Sequence, residues 1–479
     1  MSSRPPTLSP EEPVDSYVGC RFHENATACE WGESYRPGGY HPVQLGDTFL
    51  NGRFHVIRKI GYGSFSTVWL AHDDLSNKLV AIKVVVARLD QSTLDKEICL
   101  YHELAKVAPH SSLSQYFVGL KEQFQLEGPN GRHNCLVFDS MGPDLPTTIR
   151  RSREYQVGQP WDDDFCQRFP LQLAKKVLRE VLLGLQFLHA NRIVHGDLHA
   201  GNILVSIRPQ DCEAGTIEKL RQNPDDGEPL RRLDGKIDLW APTYLLPPAG
   251  LLTYVSTELD PFVKLVDLGG SFRFDENPTK ITTPRALRAP ETILKLPVGP
   301  SIDIWSFGCL AFELITGHDL IGLPSLLMGD GPETIDDEHL IKLSEIIGPL
   351  PELLFDAWRR GPAYFGPDGK RMIVAEEKDV DEESMGYESD TENPVDLSDL
   401  EDTELDENPV SPDMDCSEDP LAYTRLSEPL ENMFRRWKPE GTSDTEEKDI
   451  LHLLRWVLQL EAKDRPTVEG ILGHKWFQI

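Results

Sequence analysis

The chain has 479 residues, 39% of them hydrophobic, which is enough for two lobes or domains with a sizeable core. Its formal net charge of −31 disfavours duplex nucleic acid and anionic membranes as direct partners and favours basic ones. The chain opens with no signal-peptide pattern and contains no run of about 18 apolar residues, so we expect a soluble intracellular protein. Its eight cysteines include no CxxC pair. Three of them, Cys99, Cys135 and Cys309, lie in apolar runs and are predicted to be buried free thiols.

The first third of the chain alternates β-forming runs with turns. Strands are predicted near 53–60, 66–72, 79–86, 116–126 and 133–139, and a helix near 91–106. After Asp139 the apolar spacing becomes helical. The predicted fold class is therefore α+β, with two lobes: a small antiparallel sheet with one main helix, and a larger helical lobe carrying two insertions.

Composition changes divide the chain further. Residues 376–419 hold 20 Asp or Glu against one Lys, too polar to fold alone, and disorder is predicted there. The predicted units are a flexible tail 1–34, an N-terminal lobe with its extension 35–139, a C-terminal lobe 140–365 that includes an insertion at 207–260, an acidic insertion 366–420, and the end of the C-terminal lobe 421–479.

One stretch, residues 195–204 (HGDLHAGNIL), has the form HxDxxxxN of a phosphoryl-transfer loop. In such a loop Asp197 faces the attacking hydroxyl as base, and Asn202 turns back to hold a magnesium ion. The apolar pairs at 193–194 and 203–204 predict short flanking strands, and helical spacing from 174 to 188 predicts a helix before them. Alone, the loop is only moderately specific, because a polar turn after a core helix has the same pattern.

A glycine-rich turn between two predicted strands precedes this loop. Its residues are candidates for binding the phosphates of ATP, since Gly61 and Gly63 let backbone amides approach oxygens. The candidates are Ile60, Gly61, Tyr62, Gly63, Ser64, Phe65, Ser66, Thr67 and Val68. Ser66 stands where a third glycine is usual, so a plain hairpin is an equal alternative.

A lysine and an aspartate complete the set. Lys83 follows Ala81 in a Val/Ile strand, where an unpaired charge is costly, and Glu97 or ATP phosphates are its expected partners. Asp267 ends a strand in Asp-Leu-Gly and would chelate Mg²⁺. Between the lobes, Phe138 would lie behind the adenine, while the backbone of Asp139 and Met141 would hydrogen-bond it.

The order of these motifs is more specific than any one of them. The Asp-Leu-Gly is followed by Ala289-Pro290-Glu291, then by DIWSFGC from Asp303, then by Arg465. Asp303 would fix the backbone of the catalytic loop from below, and Arg465 could form a structural pair with Glu291. Over about 50–365 and 420–479 the chain resembles a eukaryotic protein kinase. Further features resemble the SR-protein kinase family. They are the segments GGYHPV, GDTF and VIRKIG, the Leu in Asp-Leu-Gly, and the 207–260 insertion.

This resemblance implies an ATP- and Mg²⁺-dependent Ser/Thr kinase of arginine/serine-rich proteins, many of them splicing factors. We expect a monomer in cytoplasm and nucleus that binds neither nucleic acid nor membrane. It also implies roles for Lys83, Glu97, Asp197, His199 and Asn202 in catalysis. Asp336, Asp337 and Glu338 are candidate docking acids; a solvated helix start is an equal alternative.

Two positions depart from the usual kinase loop. Gly196 replaces the arginine that senses activation-loop phosphorylation, so we expect activity without such phosphorylation. His199 replaces a lysine that neutralises γ-phosphate charge, which predicts slower turnover that partly recovers as pH falls. Because HGDLHxGN also resembles aminoglycoside- and choline-type phosphotransferases, a small-molecule kinase and a catalytically weak scaffold are the alternative hypotheses.

Overall fold

The computed structural model describes residues 20–25, 27–89, 91–151, 155–157, 166–207, 217–251, 262–323, 332–366, 369–372 and 427–478. The predicted disorder of residues 376–419 lies outside the described residues, as does most of the predicted tail. Within them, a sheet-rich N-terminal part is followed by a helical C-terminal part, as predicted.

A single antiparallel sheet forms the N-terminal lobe. Its strands follow the order β1-β2-β3-β4-β6-β5. They are β1 (Thr48–Phe49), β2 (Phe54–Gly63), β3 (Ser66–Asp73), β4 (Lys78–Val85), β5 (Leu120–Gly128) and β6 (Gly131–Asp139), with helix α1 (Gln91–Val107) between β4 and β5. The predicted strand at 116–126 starts only at Leu120, because Ser112–Tyr116 form a 3-10 helix whose first turn Ser111 caps.

Both faces of this sheet are covered, which explains the nearly continuous apolar run of β4. On one face Trp69 and Ile82 pack with Val43 of the N-terminal extension and Leu246 of the 207–260 insertion. Extension and insertion thus shield a face that would otherwise expose apolar side chains.

The C-terminal lobe is built around α3 and α6. Its helices are α2 (Leu145–Arg151), α3 (Leu171–Ala190), α5 (Pro290–Ile293), α6 (Ser301–Thr316), α7 (Pro332–Ile346), α8 (Glu352–Ala357), α9 (Leu430–Trp437), α10 (Asp444–Val457) and α11 (Val468–Leu472). Helix α4 (Ile217–Leu220) belongs to the 207–260 insertion and packs against β2. Helix α3 confirms the helix predicted from 174 to 188.

Short ribbons connect these helices. They are β7 (Gln156–Val157) with β8 (Cys166–Gln167), β9 (Ile193–Val194) with β14 (Phe272–Arg273), β10 (Ile203–Val205) with β13 (Val263–Leu265), and β11 (Glu228–Pro229) with β12 (Tyr244–Leu245). Strands β9 and β10 flank the HxDxxxxN loop as predicted, and β13 leads into Asp-Leu-Gly. The pairing of β10 with β13 therefore brings the two motifs side by side.

The cysteine predictions are confirmed for Cys135 and Cys309, whose side chains are buried and free. The prediction is wrong for Cys99, which is exposed because it lies on the outward side of α1. No helix among the described residues combines the length and apolarity that crossing a membrane requires.

Candidate active site

The HxDxxxxN loop is held from below by one buried carboxylate. Asp303, in the first turn of α6, accepts hydrogen bonds from the backbone N–H groups of His195 (2.8 Å) and Gly196 (2.9 Å). His189 contacts the same carboxylate at 2.8 Å. Asp303 is 1% exposed, so its charge is compensated by these donors, and the loop backbone is fixed as the sequence predicted.

The carboxylate of Asp197 lies at the floor of the cleft. Its Oδ1 is buried and has no hydrogen-bond partner within the described part of the chain. Asn202 donates from Nδ2 to the backbone O of Asp197 at 2.9 Å and to its Oδ2 at 3.4 Å, so the amide oxygen is left to face elsewhere. Burial raises the pKa of Asp197, although His199 and His195 oppose the shift. A raised pKa makes a carboxylate a better proton acceptor.

His199 folds back onto its own loop. Its Nδ1 accepts the backbone N–H of Gly201 at 3.1 Å, which caps the 3-10 turn Ala200–Asn202. The ring proton of neutral His199 is therefore on Nε2, 4.0 Å from Asp197 Oδ2. A Cβ at Gly201 would lie 2.8 Å from the imidazole, so the glycine and the histidine depend on each other. Burial lowers the pKa of His199, which favours the neutral ring.

Lys83 links the two lobes at this site. Its Nζ lies 3.2 Å from Glu97 Oε1 on α1 and 3.0 Å from Asp267 Oδ1. Burial lowers the pKa of Lys83, but the carboxylates of Asp267 and Glu97 outweigh it and leave the pKa above its ordinary value. Asp267 has a φ of 67°, a conformation that non-glycine residues rarely adopt and that turns its side chain toward Lys83.

A cavity of about 750 Å³ lies between the glycine-rich turn and this set of side chains. Most predicted nucleotide-binding residues line it: Ile60, Gly61, Tyr62, Gly63, Ser64, Ser66, Val68, Ala81, Lys83, Phe138, Asp139, Met141, Asp197, His199, Asn202 and Asp267. Apart from the residues next to it in the chain, the described part of the protein places no atom within 4 Å of the position a Cβ would take at Gly63. The turn therefore leaves room for a ligand to approach its backbone.

Two of the predicted ATP-binding residues do not line the cavity. Thr67 lies between Ser66 and Val68 on β3 and points to the opposite face, where its Oγ1 accepts from Trp69 Nε1 at 3.0 Å. Phe65 sits at the tip of the turn and is 51% exposed. Strand alternation, applied residue by residue, could have excluded Thr67.

Sequence reasoning missed other lining residues. Gly142, Pro143 and Asp144 directly follow the predicted hinge, so proximity in the chain was a usable signal. No local signal marked Pro248, Gly250 and Leu251, which reach the cavity from the 207–260 insertion.

Gly196 has the left-handed φ of 72°, and a Cβ there would lie 2.3 Å from the carbonyl O of Gly270. Its own carbonyl accepts the hydroxyl of buried Thr283 at 2.6 Å, and Ser271 donates to the carbonyl of His195 at 2.8 Å. These neutral bonds join the catalytic loop to the segment after Asp-Leu-Gly. In this chain, neutral hydrogen bonds therefore make the connection for which the usual kinase loop uses an arginine and a phosphorylated activation loop.

The predicted docking acids do not form a free acidic surface. Asp337 is 4% exposed, accepts from Trp358 Nε1 (2.6 Å) and Tyr364 OH (3.1 Å), and pairs with Arg360. Glu338 is also buried, with Lys342 one helical turn away at 3.7 Å. Their position in α7 turns both toward the lobe, which argues against the docking role. Asp336 is only partly buried.

A second predicted pair is present and lies away from the cavity. Arg465 makes two hydrogen bonds to Glu291, at 2.6 and 2.8 Å, in a buried position. This bidentate pair ties α5 to the end of the chain, so its role is structural.

The donor set fits Mg·ATP. The cavity volume is that of a small-molecule site, with an apolar half around Ala81 and Met141 and a charged half around Lys83, Asp197 and Asp267. No cluster of three His, Cys, Asp or Glu side chains among the described residues could hold a metal alone. Mg²⁺ in phosphoryl-transfer sites takes one or two protein oxygens and completes its shell with phosphates and water.

Comparisons with known proteins agree with this geometry. Residues 54–218 match the protein kinase domain family. The chain is 30% identical over 355 residues to the serine/threonine-protein kinase SRPK of Physarum polycephalum, covering 71% of this chain and 78% of that protein. It is 36% identical over 468 residues to SRSF protein kinase 3 of Homo sapiens, covering 71% and 79%. A solved kinase domain shares the fold, with a TM-score of 0.55 at 22% identity, covering 92% of this chain and 99% of that one.

Fold and site together define a protein kinase. The chain belongs to the SRPK family of serine/threonine protein kinases. The predicted family, fold class and enzyme class are thereby confirmed.

Proposed function

We propose that this kinase transfers the γ-phosphate of Mg·ATP to serines in basic, arginine/serine-rich proteins, with Asp197 as the base. One observation carries the chemistry: Asp197, Asn202, Asp267 and Lys83 converge on the charged end of one cavity beneath the glycine-rich turn. The side chains of Asn202 and Asp267 would hold Mg²⁺, which when bound neutralises charge on the phosphates.

Each side chain then has one task. Lys83, oriented by Glu97, binds the phosphates next to the nucleoside. Asp197 Oδ1, buried and without a hydrogen-bond partner among the described residues, accepts or orients the proton of the substrate hydroxyl. His199 donates one hydrogen bond from Nε2 toward the γ-phosphate. Because the ring is neutral, it supplies less charge than a lysine.

The basic substrate class has two supports. The net charge of −31 attracts arginine-rich chains and raises their association rate by roughly 10- to 1000-fold at low salt. One relative is named SRSF protein kinase 3, a name that states its substrate. We extend the proposal to a monomer that acts in cytoplasm and nucleus, which size measurement and imaging of the full chain can test.

The decisive test measures ATP turnover on an Arg-Ser repeat peptide, an acidic peptide and an aminoglycoside. Turnover on the Arg-Ser peptide alone is expected. Asp197→Asn should lower kcat by roughly 10²- to 10⁴-fold while the Kd for Mg·ATP stays within about twofold. Asp226→Asn, an exposed carboxylate in the insertion, is the matched control and should change neither value.

Other outcomes would identify the alternatives. Turnover on the aminoglycoside alone would establish a small-molecule kinase. ATP binding without turnover on any acceptor would establish a weak, scaffold-like kinase. Loss of Arg-Ser activity after phosphatase treatment would refute the expectation that Gly196 makes activation-loop phosphorylation unnecessary.

A further inference from the structure

The insertion between the catalytic loop and Asp-Leu-Gly runs along the open edge of β2. Strand β1 pairs only with the first two residues of β2. Farther along β2, residues of the insertion form the hydrogen bonds to its open edge. Gln222 N–H donates to the carbonyl O of Ile57 at 3.0 Å, and Ala249 N–H donates to that of Lys59 at 2.9 Å. The N–H of Lys59 donates to Gln222 Oε1 at 3.0 Å. The sheet edge leading into the glycine-rich turn is thus satisfied by the insertion.

An arginine fixes the end of the described insertion. Arg58 donates from Nε to the carbonyl O of Leu220 at 2.6 Å and from Nη1 to those of Ala249 (3.3 Å) and Gly250 (3.2 Å). The next residue, Leu251, is consequently held at a defined place against the N-terminal lobe.

Leu251 belongs to an apolar cluster that reaches the cavity. It is 2% exposed and shares the cluster with Leu220 of the same insertion, and Ile60 packs against this cluster. Leu251 and Ile60 both line the cavity, whereas Leu220 does not. Ile60 opens the glycine-rich turn, and neither leucine is among the partners of Lys83 or Asp267.

We infer that Leu251 is a nucleoside-binding residue of the nucleotide site, forming with Ile60 an apolar wall against the nucleoside half of ATP. This inference rests on the ATP site of the proposed function. An apolar wall contributes to binding of the base and sugar and not to binding of the phosphates. Adenosine and ATP should therefore lose affinity by the same factor when the wall is removed.

The experiment compares Leu251→Ala with Leu220→Ala in the full chain by calorimetric titration with adenosine and with ATP plus Mg²⁺. Leu251→Ala should raise both Kd values roughly fivefold. Leu220→Ala removes an equally buried side chain from the same cluster and should leave both Kd values within about twofold. If the alanine variants do not fold, Leu251→Val and Leu220→Val form the second pair, with a smaller rise expected only for Leu251→Val.

Three results with the variants would overturn the inference and leave the proposed function standing. Unchanged adenosine affinity in a folded Leu251 variant would exclude a nucleoside contact. Equal losses in both leucine variants would mean that the cluster acts only on folding. A loss for ATP without a loss for adenosine would place the effect at the phosphates. Failure of the unmodified chain to bind either ligand would overturn the proposed function as well, so the two failures are distinguishable.

Discussion

Single residues set the chemical character of this kinase site. His199 illustrates this, because its Nδ1 already accepts the N–H of Gly201. If Nδ1 were protonated, its N–H and the N–H of Gly201 would face each other as two donors, and the hydrogen bond would be lost. Together with the burial that lowers its pKa, this bond keeps the ring neutral. The site therefore approaches the γ-phosphate with one hydrogen bond where a lysine would bring a full charge.

Replacing that histidine should show the difference. We expect His199→Lys to raise kcat by roughly tenfold at pH 7.5, because a permanent cation stabilises the developing phosphate charge. The advantage should shrink only at more acidic pH, because burial lowers the pKa of His199 and the ring of the unmodified enzyme gains its proton below the ordinary range. Steady-state kinetics from pH 7.5 into this acidic range test it, with His55→Lys, at a half-exposed histidine of β2 beside Asp74, as control. A kcat that stays equal to that of the unmodified enzyme at every pH would contradict the charge argument.

A second residue predicts a pH-dependent stability. Burial near the end of α6, with a further contribution from Asp319, raises the pKa of Glu313 to about 7 from an ordinary value of 4.5. The folded state therefore binds more protons than the unfolded state between these values. Stability is lost as pH rises through this window, and the loss is complete above pH 7.

Removing the charge should remove this loss. Glu313→Gln is expected to raise the free energy of unfolding by about 1–2 kcal/mol at pH 8 and to leave it nearly unchanged at pH 4.5. Urea unfolding at the two pH values measures the difference. The control is Glu352→Gln, at an exposed glutamate of α8. An equal effect of Glu313→Gln at both pH values would rule out the ionisation as its cause.

At the scale of elements, the N-terminal extension, together with the described tail residues 27–34, is fastened to β2 by a buried ion pair. This part of the predicted flexible tail is packed against the sheet. Lys59 Nζ contacts Glu30 and donates to the carbonyl O of Leu246 at 3.0 Å, and both charged side chains are 1% exposed. Tyr35 OH donates to Glu30 Oε1 at 2.5 Å. Extension, sheet and insertion thus meet at one charge pair, whose loss leaves a buried charge without its counter-ion.

Breaking this pair should cost far more than breaking a surface pair. Glu30→Ala is expected to lower the free energy of unfolding by about 3–5 kcal/mol, and adding Lys59→Met should recover a large part of it. Chemical denaturation of the single and double variants tests the coupling. Glu127→Ala, in the exposed Arg132–Glu127 pair, is the control. A Glu30→Ala cost no larger than that of the control would refute the fastening role.

For the whole molecule, charge is distributed very unevenly. Of the net −31, residues 376–419 carry −19, from 20 acidic residues and one Lys. Asp337 and Glu338 are buried and engaged, so they do not supply a free docking surface. The main concentration of negative charge is therefore in residues 376–419 of the acidic insertion. Two roles are open to them: a solubilising segment, or a competitor in the binding of a basic substrate.

Replacing residues 376–419 by a neutral Gly/Ser segment of equal length separates the two roles. Competition predicts that KM for an Arg-Ser peptide falls roughly three- to tenfold at low salt, that kcat is unchanged, and that the difference disappears near 0.5 M salt. Peptide kinetics at the two salt concentrations provide the measurement, with the unmodified chain as reference. An unchanged KM at low salt would support the solubilising role instead.

The sequence by itself determined the catalytic motifs, most of the sheet and the main helix before the loop. These rest on local patterns: spacing within HxDxxxxN, alternation along β2 to β4, and helical periodicity in α3. The roles of Asp303 below the loop and of Arg465 beside Glu291 could also be assigned, because their motifs occur in the order that is typical of protein kinases.

Only the tertiary structure decided the rest. Four findings depend on which elements pack together. They are the burial of Asp337 and Glu338, the exposure of Cys99, the orientation of Thr67 away from the cavity, and the position of Leu251 at the nucleotide site. Those contacts join residues far apart in the chain, and their energies come from desolvation and packing that no local pattern encodes. Local chemistry was therefore readable from the sequence, whereas the accessibility of each group required the folded molecule.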